Sequence, residues 1–439
     1  MRGIGRFTEI AKAFQPHLFG AVYRQTPYFS VERSLSTMSA CSPDNSWSEV
    51  CIVAGARTPI GGFQGSLAPL TATELGAIAI KGALSRGGVD PSRVDEVFMG
   101  NVLSAGLGQA PSRQAAIAAG LPHSTICTDV NKVCASGMKA VMLAAQSIQL
   151  GHSRIAVAGG MESMSNVPYY LPKARTGFRL GNAEVVDGLV RDGLWDPHGD
   201  LHMGSCAERC AEHFDISRET QDQHAAESWK RAKSSFSGGS VPDEIIPVEV
   251  RGKRSTQLVT VDDALSKMDP KRLPELPPAF ETSGSITAGN ASPLSDGAAA
   301  LVLTSRKTAE EEGLKVLATI RGFADAAQAP EWFTTAPAQA VNKALERAGV
   351  AISEVDFFEI NEAFSVVDLA NQRLLGIPPE RVNVNGGAVA IGHPIGCSGA
   401  RILVTLLHVL RKGEGSIGVA SICNGGGGAS AVVLELAGS

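Results

Sequence analysis

Three glycine-framed segments of this chain carry side chains that could do nucleophilic chemistry. Cys134 lies in the sequence NKVCASG, His393 in GHPIG and Cys423 in SICNGGGG. A cysteine thiolate is a good nucleophile toward acyl groups and also a good leaving group. Two cysteines and one histidine therefore predict a thiol nucleophile, its base and a second acid/base.

His393 lies in a tight Gly-His-Pro turn, in which Pro394 fixes the backbone and the flanking glycines allow close approach to other groups. Such a turn would preorganise an imidazole for acid–base work, whereas a histidine on a surface turn is the alternative interpretation. Cys423 ends an apolar strand pattern at 417–422. Because active sites of parallel sheets gather at the carboxyl ends of strands, we expect Cys423 at such an edge.

Asn361 and Glu362 follow another strand pattern, at 355–360, and fall at the same kind of position. The Asn361 amide could orient a water molecule or a carbonyl group. We interpret Glu362 as a cap of the helix that follows.

The sequence repeats itself once, at an offset of 261 to 262 residues. Residues 83–95 pair with 344–356, and residues 136–158 pair with 398–420. Two separate blocks that keep one offset indicate a duplicated α/β half. In each copy we predict largely parallel sheets covered by helices. The apolar patterns predict helices at 73–84, 137–150, 336–348 and 399–410, and strands at 94–99 and 355–360.

The repeat also bears on Cys134. A helix that starts after this residue would lower the pKa of the thiol through its free N–H groups and its dipole, and could hold an oxyanion. A buried, inert structural cysteine is the alternative. The equivalent position in the second copy is Gly396, so the scaffold itself does not require a cysteine.

The bulk composition narrows the class of protein. The chain has 439 residues, 44% of them hydrophobic, and 48 glycines, which is typical of a tightly turned α/β protein of two or three domains. A net charge of −5 gives no basic surface for nucleic acid, and no apolar run is long enough to span a membrane. Eight scattered cysteines fit a reducing compartment.

The sequence divides into four segments. Residues 1–47 form a basic, serine-containing extension that predicts a mitochondrial transit peptide, with an untargeted tail and a cytoplasmic protein as the alternative. Residues 48–165 with 291–315 form the first half and residues 316–439 the second. Residues 166–290 have no repeat partner, and we interpret them as an inserted loop domain for substrate binding.

Four other residues have the types and spacing of possible metal ligands. His202, Cys206, Cys210 and His213 occur at helical spacing. Four ligands along a single helix cannot reach one tetrahedral ion, since successive turns are about 5.4 Å apart. We therefore interpret Cys206 and Cys210 as helix packing residues.

Taken together, four segments resemble the signatures of the thiolases, and within them the short-chain acetyl-CoA acetyltransferases. The segments are NKVCASG around Cys134, NEAF from Asn361, GGA with GHPIG around His393, and CNGGGG from Cys423. The likeness runs from about residue 50 to residue 436. It implies two thiolase half-folds in a five-layered α-β-α-β-α core with an inserted loop domain, which agrees with the repeat.

The resemblance implies a role for each residue of the site. Cys134 would accept an acetyl group from acetyl-CoA, and His393 would take its proton and later help to hold the enolate oxygen of a second acetyl-CoA. Cys423 would remove the α-proton of that second molecule. Asn361 would hold a water molecule beside His393, and the backbone N–H groups of Cys134 and Gly425 would form a second oxyanion hole.

The resemblance also implies partners. Acetyl-CoA, acetoacetyl-CoA and CoA would be the substrates and products, with no cofactor required and a homotetramer as the assembly. The residues implied for CoA binding are His202, Met203, Lys267, Met268, Asp269, Arg272, Ser292, Ala363 and Phe364. Some relatives bind potassium, for which Ala288, Gly289, Ala291 and Val389 would form the loop here, but the place of a ligating tyrosine falls on Trp229. Because an indole only donates hydrogen bonds, Trp229 cannot ligate a cation in place of the tyrosine, which argues against bound potassium.

Three other functions would share parts of this pattern of active-site segments. A 3-ketoacyl-CoA thiolase of fatty-acid oxidation would use the same chemistry with a wider acyl tunnel. A decarboxylating ketoacyl synthase would carry no second thiol, so Cys423 argues against it. An inactive lipid carrier would keep the fold without a complete site.

Overall fold

The computed structural model describes residues 48–236, 243–252, 255–267, 269–413 and 415–438. The predicted transit segment 1–47 and the predicted CoA-binding Met268 therefore lie outside the described residues. The strands are β1 (Val50–Arg57), β2 (Gly61–Gly62), β3 (Glu96–Gly100), β4 (Ile126–Val130), β5 (Ile155–Ser163), β6 (Tyr169–Tyr170), β7 (Val186–Asp187), β8 (Trp195–Asp196), β9 (Leu201–His202), β10 (Val248–Arg251), β11 (Thr256–Val259), β12 (Ser295–Ser305), β13 (Ala318–Ala327), β14 (Phe357–Ile360), β15 (Ile417–Asn424) and β16 (Gly428–Leu436).

The helices follow the predicted positions within a few residues. They are α1 (Ala72–Gly87), α2 (Pro111–Ala118), α3 (Ser136–Gln149), α4 (Met203–His213), α5 (Arg218–Ser235), α6 (Arg306–Glu311), α7 (Ala336–Ala348), α8 (Ser365–Leu375), α9 (Ala388–Ile391) and α10 (Ile395–Lys412). Short helical turns occur at Pro91–Arg93, Met164–Asn166, Val190–Leu194, Asp263–Ser266, Pro270–Glu275, Pro330–Thr335, Ile352–Glu354 and Pro379–Arg381.

The order of elements is the same in the two halves. In the first half the series is β1, α1, β3, α3, β5 and β12, and in the second it is β13, α7, β14, α10, β15 and β16. The halves meet where β1 pairs with β13 over Cys51–Thr319 and Ile52–Ala318, so the strands form one path, β14-β15-β16-β13-β1-β12-β5-β3-β4. The predicted duplication is confirmed.

The elements stack in five layers. Helices α3 and α10 pack against one another and against strands of both halves, which makes them the middle layer. Helices α1 and α2 cover the other face of the first half, and α7 covers the other face of the second. A helix between two sheets has no solvent face, which explains why α10 is apolar nearly all round and buried from Ile395 to Leu410.

The expectation of largely parallel sheets is wrong. Parallel pairs occur at β3–β4, β3–β5 and β14–β15, whereas β1–β12, β12–β5, β13–β16 and β15–β16 are antiparallel. The helix–strand order within a half correctly predicts the parallel pairs. It does not reveal that the last strand of each half, β12 or β16, inserts antiparallel between two strands that share one direction.

Between β5 and β12 the chain leaves the sheet, and its described residues form α4, α5 and three short antiparallel strand pairs, β6–β7, β8–β9 and β10–β11. Helix α5 begins at an N-cap, Ser217, whose hydroxyl accepts from the N–H of Thr220. This helix packs against α8, which follows strand β14, and against α9, which lies between α8 and α10. Within the described residues, no helix is both long enough and apolar enough to cross a membrane.

Candidate active site

Cys134 lies in a strained turn immediately before helix α3. The preceding Val133 has a φ of 48°, a left-handed conformation that costs a residue with a side chain about 1–2 kcal/mol. The turn is held from the other half of the protein, because Lys132 Nζ donates to Asp325 Oδ1 at 2.5 Å and to Ser430 Oγ at 2.8 Å. The thiol is therefore presented by contacts that join the two halves.

The Cys134 sulfur faces two backbone donors. Burial raises the pKa of the thiol to about 11, while the nearby backbone N–H groups of Gly425 and of Cys134 itself act in the opposite direction and lower the pKa. Donors that point at the nucleophile also point toward the place where an oxyanion forms when the sulfur attacks a carbonyl. These are the two N–H groups that the sequence resemblance implied.

The turn that carries Gly425 depends on glycine. Gly426 and Gly427 have φ values of 82° and 81°, in the left-handed region. A Cβ on Gly427 would also lie 2.2 Å from the carbonyl oxygen of Gln328, whereas a Cβ on Gly426 would meet nothing within 4 Å. Gly427 is therefore required by both its φ and its close contact, and Gly426 is favoured by its φ alone.

His393 is 6% exposed, and its ring is held on one side. Nδ1 lies 2.6 Å from Ser398 Oγ, and that hydroxyl donates to the carbonyl oxygen of Pro394 at 3.0 Å. Since the hydroxyl proton is used there, the hydrogen-bond pattern assigns a proton to Nδ1 and a lone pair to Nε2. Nε2 is buried and has no hydrogen-bond partner among the described residues, and burial, with the nearby Arg401, lowers the pKa of the imidazole to about 3.

Cys423 lies at the carboxyl end of β15, as predicted. It is fully buried in a cluster with Met203, Ala363 and Phe364. Burial raises the pKa of its thiol well above the ordinary value, and the charge of a Cys134 thiolate would raise it further. With two protonated thiols and an uncharged imidazole, the resting site carries no net charge on these three groups.

Asn361 follows the adjacent parallel strand, β14. Its N–H donates to the Ser421 carbonyl at 2.9 Å, which places it next to the end of β15. The side chain is fully buried, and within the part of the chain that the structure describes neither its Oδ1 nor its Nδ2 has a hydrogen-bond partner. Unpaired buried polar atoms are rare, so an amide in this state is available to a water molecule or a substrate.

One cavity of about 570 Å³ collects most of the predicted site. Its walls include Cys134, His393, Gly425, His202, Met203, Ser292, Ala363 and Phe364. Asn361 and Cys423 are not part of the walls themselves, and they lie at the ends of the two parallel strands beside Ala363.

A second cavity, of about 410 Å³, shares the walls Phe63, Ala288, Pro293 and Leu294 with the first. Lys267, Asp269 and Arg272 line it, together with Gly289 and Val389. The predicted CoA-binding residues therefore separate into an apolar inner group and a charged outer group. Such an elongated space suits a ligand with an apolar arm and an anionic end.

The residues around the suggested potassium loop do not fit a cation. Trp229 Nε1 is a buried donor for which the described residues supply no acceptor, and Trp229 packs against Ala390, next to Val389. The Lys233 ammonium group lies 4.7 Å from the centroid of the same indole ring. An N–H donor and a fixed positive charge both disfavour a second cation there.

The structure shows what the residues considered as metal ligands do instead. Cys206 and Cys210 are buried in an apolar cluster with Ile286 and Val366, so the interpretation as helix packing is confirmed. His202 caps α4 through Nδ1 and stacks on Phe280 with ring centroids 4.8 Å apart.

Sequence reasoning missed three residues of the site. Ser398 orients His393, and its only signal was that it pairs with Ser136 in the repeat. Glu162 accepts hydrogen bonds from Asn101 Nδ2 at 2.7 Å and from the N–H of Gly396 at 2.9 Å, which ties β5 to the turn after His393.

The third residue, Glu362, was misinterpreted as a helix cap. Helix α8 begins after Phe364, which makes no side-chain cap hydrogen bond, and the Glu362 carboxylate turns away into a buried network. The prediction failed because the partners of Glu362 come from distant parts of the chain.

The comparisons with known proteins agree with this geometry. Residues 50–307 match the family model described as thiolase, N-terminal domain, and residues 314–436 match thiolase, C-terminal domain.

Among curated proteins, the chain is 61% identical over 391 residues to acetyl-CoA acetyltransferase 2 of Arabidopsis thaliana, covering 88% of this chain and 97% of that one. It is 53% identical over 388 residues to an acetyl-CoA acetyltransferase of Gibberella zeae whose name includes the word cytosolic, covering 88% and 98%. Among solved structures, a thiolase of Ascaris suum in complex with coenzyme A has a TM-score of 0.84 at 44% identity, covering 88% of this chain and all of that one.

Proposed function

The chain belongs to the thiolase family, and from that premise we propose that it is an acetyl-CoA C-acetyltransferase. It joins two molecules of acetyl-CoA into acetoacetyl-CoA and CoA, and it cleaves acetoacetyl-CoA in the reverse direction. The observation that carries the proposal is the cavity that Cys134, Gly425 and His393 line together, in which the backbone N–H groups of Gly425 and Cys134 lie near the Cys134 sulfur. The identity to acetyl-CoA acetyltransferases favours this activity over fatty-acid oxidation.

The uncharged resting state decides how the first step proceeds. With the pKa of Cys134 raised to about 11 and that of His393 lowered to about 3, a preformed thiolate–imidazolium pair is unfavourable. The thiol proton therefore moves to His393 Nε2 as the sulfur attacks the acetyl carbonyl. The N–H groups of Cys134 and Gly425 stabilise the tetrahedral oxyanion, and its collapse leaves an acetyl thioester on Cys134. The departing CoA sulfur takes a proton from Cys423.

The second step uses the thiolate that the first step leaves on Cys423. This thiolate removes an α-proton from the second acetyl-CoA, and the enolate oxygen is held by the protonated His393 and by a water molecule on Asn361. The enolate carbon attacks the acetyl group, and Cys134 leaves as a thiolate. Cys134 then recovers its proton from His393, so every group returns to its starting state.

The two adjoining cavities support a binding mode for CoA. The pantetheine arm occupies the inner cavity, where Met203, Ser292 and Phe364 line the path to Cys134. The phosphates lie in the outer cavity, where Lys267 and Arg272 supply positive charge.

Two experiments test the activity. In Cys423→Ala, acetylation of Cys134 continues because His393 can return its proton to the departing CoA sulfur, whereas condensation is lost. Normal synthesis of acetoacetyl-CoA by this variant would refute the role of Cys423. A thiolysis series from acetoacetyl-CoA to long-chain 3-ketoacyl-CoA tests the substrate, and preference for the longer substrates would make the protein a 3-ketoacyl-CoA thiolase of β-oxidation instead.

We further propose that the enzyme works without a cofactor and without potassium, as a homotetramer. The buried indole donor of Trp229 and the Lys233 ammonium group support potassium independence. Equal rates in sodium and potassium salts would agree with it, and light scattering measures the assembly.

The relative named as cytosolic favours the cytoplasm over the predicted mitochondrial location. A fluorescent fusion of the first 47 residues decides between the two compartments. Mitochondrial import would restore the original prediction.

A further inference from the structure

The residues on both sides of Asn361 are held by hydrogen bonds, although the Asn361 side chain has no partner among the described residues. Asn383 bonds both backbone groups of Ile360, since its Oδ1 accepts from the N–H at 2.9 Å and its Nδ2 donates to the carbonyl at 2.8 Å. Asn383 itself holds a φ of 47°, a conformation that asparagine tolerates better than most residues. The direction of the Asn361 amide therefore depends on how its neighbours are held.

On the other side of Asn361, the buried Glu362 carboxylate accepts from three donors. Oε1 accepts from Asn383 Nδ2 at 3.1 Å, and Oε2 accepts from Ser228 Oγ at 2.8 Å and from the N–H of Val389 at 3.1 Å. Glu362 is 1% exposed. A carboxylate with this many donors is costly to disturb, because each donor would be left buried and unpaired.

The space around this carboxylate is closed by Gly387. A Cβ at that position would lie 2.3 Å from the Glu362 carboxyl carbon. The Gly387 N–H in turn donates to Ser228 Oγ at 2.9 Å. The turn at Gly387 therefore packs directly on Glu362. Helix α9, which carries Val389, begins immediately after this turn.

His224 and Asp368 complete the network. His224 Nε2 lies 2.7 Å from Asp368 Oδ2 and 3.8 Å from Glu362 Oε1, and Asn383 Nδ2 lies 3.3 Å from the same Asp368 oxygen. Two buried carboxylates close together favour a protonated His224, and the Asp368 hydrogen bond, together with the charges of Glu362 and Asp368, raises the pKa of this histidine against the effect of burial. The network connects helix α5, helix α8 and the Asn361 turn.

These three groups have the types and spacing of metal ligands, but their hydrogen bonds argue for a proton instead. His224, Glu362 and Asp368 each offer an atom within 4.8 Å of the others. However, the Asn383 amide donates to the two carboxylate oxygens that would have to bind the ion. A donor between two ligands excludes a cation, whereas a proton on His224 Nε2 is accepted by Asp368 and faces the charge of Glu362 at 3.8 Å.

We propose that Glu362 is a positioning residue for the second step of the reaction, acting through its bonds to Ser228, Val389 and Asn383. With His224 and Asp368 it locks the inserted segment to the turn that presents Asn361. This inference rests on the proposed function, because Asn361 acts on the enolate of the second acetyl-CoA. It predicts an effect on condensation that acetylation does not share, since acetylation uses the N–H groups of Cys134 and Gly425.

The test is Glu362→Gln, which keeps the volume and removes the charge. An amide NH₂ would then face at least one of the three donors, so the turn must shift. We expect the rate of condensation at saturating acetyl-CoA to fall roughly ten- to a hundredfold, as displacement of a catalytic group by about 1 Å costs about a hundredfold. Acetylation of Cys134, followed by labelled acetyl-CoA and mass spectrometry, should stay within about threefold of the parent.

Glu227→Gln is the matched control, since it removes a carboxylate of α5, the helix that carries Ser228 and His224, and this carboxylate is 44% exposed and outside the network. It should leave both steps unchanged. If Glu362→Gln does not fold, Ser228→Ala, which removes a single donor, should show the same selectivity in weaker form.

Equal loss of both steps, or no loss of either, would overturn the inference while leaving the proposed function intact. Activation of the parent enzyme by Zn²⁺ or Mn²⁺ would also overturn it, in favour of a metal site. A parent enzyme that performs neither step would instead refute the proposed function.

Discussion

Replacement of Ser398 by alanine should slow both steps of the reaction, because Ser398 sets the tautomer of His393. In the structure His393 Nδ1 lies 2.6 Å from Ser398 Oγ, and both residues are buried. Among the described residues Nδ1 has no other hydrogen-bond partner, so the variant either leaves a buried N–H unpaired or moves the proton to Nε2. In the second case the lone pair that accepts the Cys134 proton is lost.

The expected loss of rate follows from the free-energy cost of the unpaired N–H group. An unpaired buried donor costs about 1–3 kcal/mol, and every 1.4 kcal/mol changes a population about tenfold. We therefore expect both acetylation and condensation to fall roughly ten- to a hundredfold, with a loss of about 1–3 kcal/mol in the free energy of unfolding. Unlike Glu362→Gln, this variant affects both steps, because His393 serves in each.

The assay combines single-turnover acetylation, steady-state condensation and ¹⁵N spectra of labelled histidine. The spectra report which ring nitrogen carries the proton. Ser147→Ala is the control, since Ser147 is a buried serine of α3 bonded to Ser153 and Glu96. It should reduce stability and leave the rates unchanged. Rates within twofold of the parent in Ser398→Ala would refute the tautomer assignment.

Two further predictions concern Cys134 and its oxyanion hole. With the pKa of Cys134 raised to about 11, about one thiol in ten thousand is ionised at pH 7, so alkylation of this cysteine by iodoacetamide should rise about tenfold per pH unit up to pH 10. Peptide mass spectrometry measures it, and a plateau below pH 8 would indicate a stable thiolate–imidazolium pair. Gly427→Ala should reduce acetylation at least about tenfold, because its Cβ would lie 2.2 Å from the Gln328 carbonyl and displace Gly425. Gly426→Ala, which has the same positive φ but open space, should cost only about 1 kcal/mol of stability, and equal activity in the two variants would contradict this account.

Much of the fold could be predicted because the information is local. The helical spacing of apolar residues gave α7 at its observed bounds, and the all-round apolar character of α10 correctly indicated a buried helix. The single offset between the two halves predicted the duplication before any strand was placed. Strand direction could not be predicted in the same way, because the pairing of β12 with β5 joins residues more than a hundred positions apart.

The same difference between local and long-range information applies to the active site. Cys134, His393 and Cys423 stand out in the sequence because chemistry and backbone geometry require particular residue types within a few positions. Glu362 and Ser398 do not, since a glutamate or a serine is defined by the atoms around it. Glu362 is a positioning residue only because Ser228, Asn383 and Val389 converge on it from three other segments.

The amino-acid sequence alone determined which groups could react and that the chain is built from two related halves. Only the tertiary structure decided the protonation of those groups and the direction in which Asn361 is presented. The reason is physical: burial and hydrogen-bond partners set the free energy of a charge, and both arise when distant segments pack together.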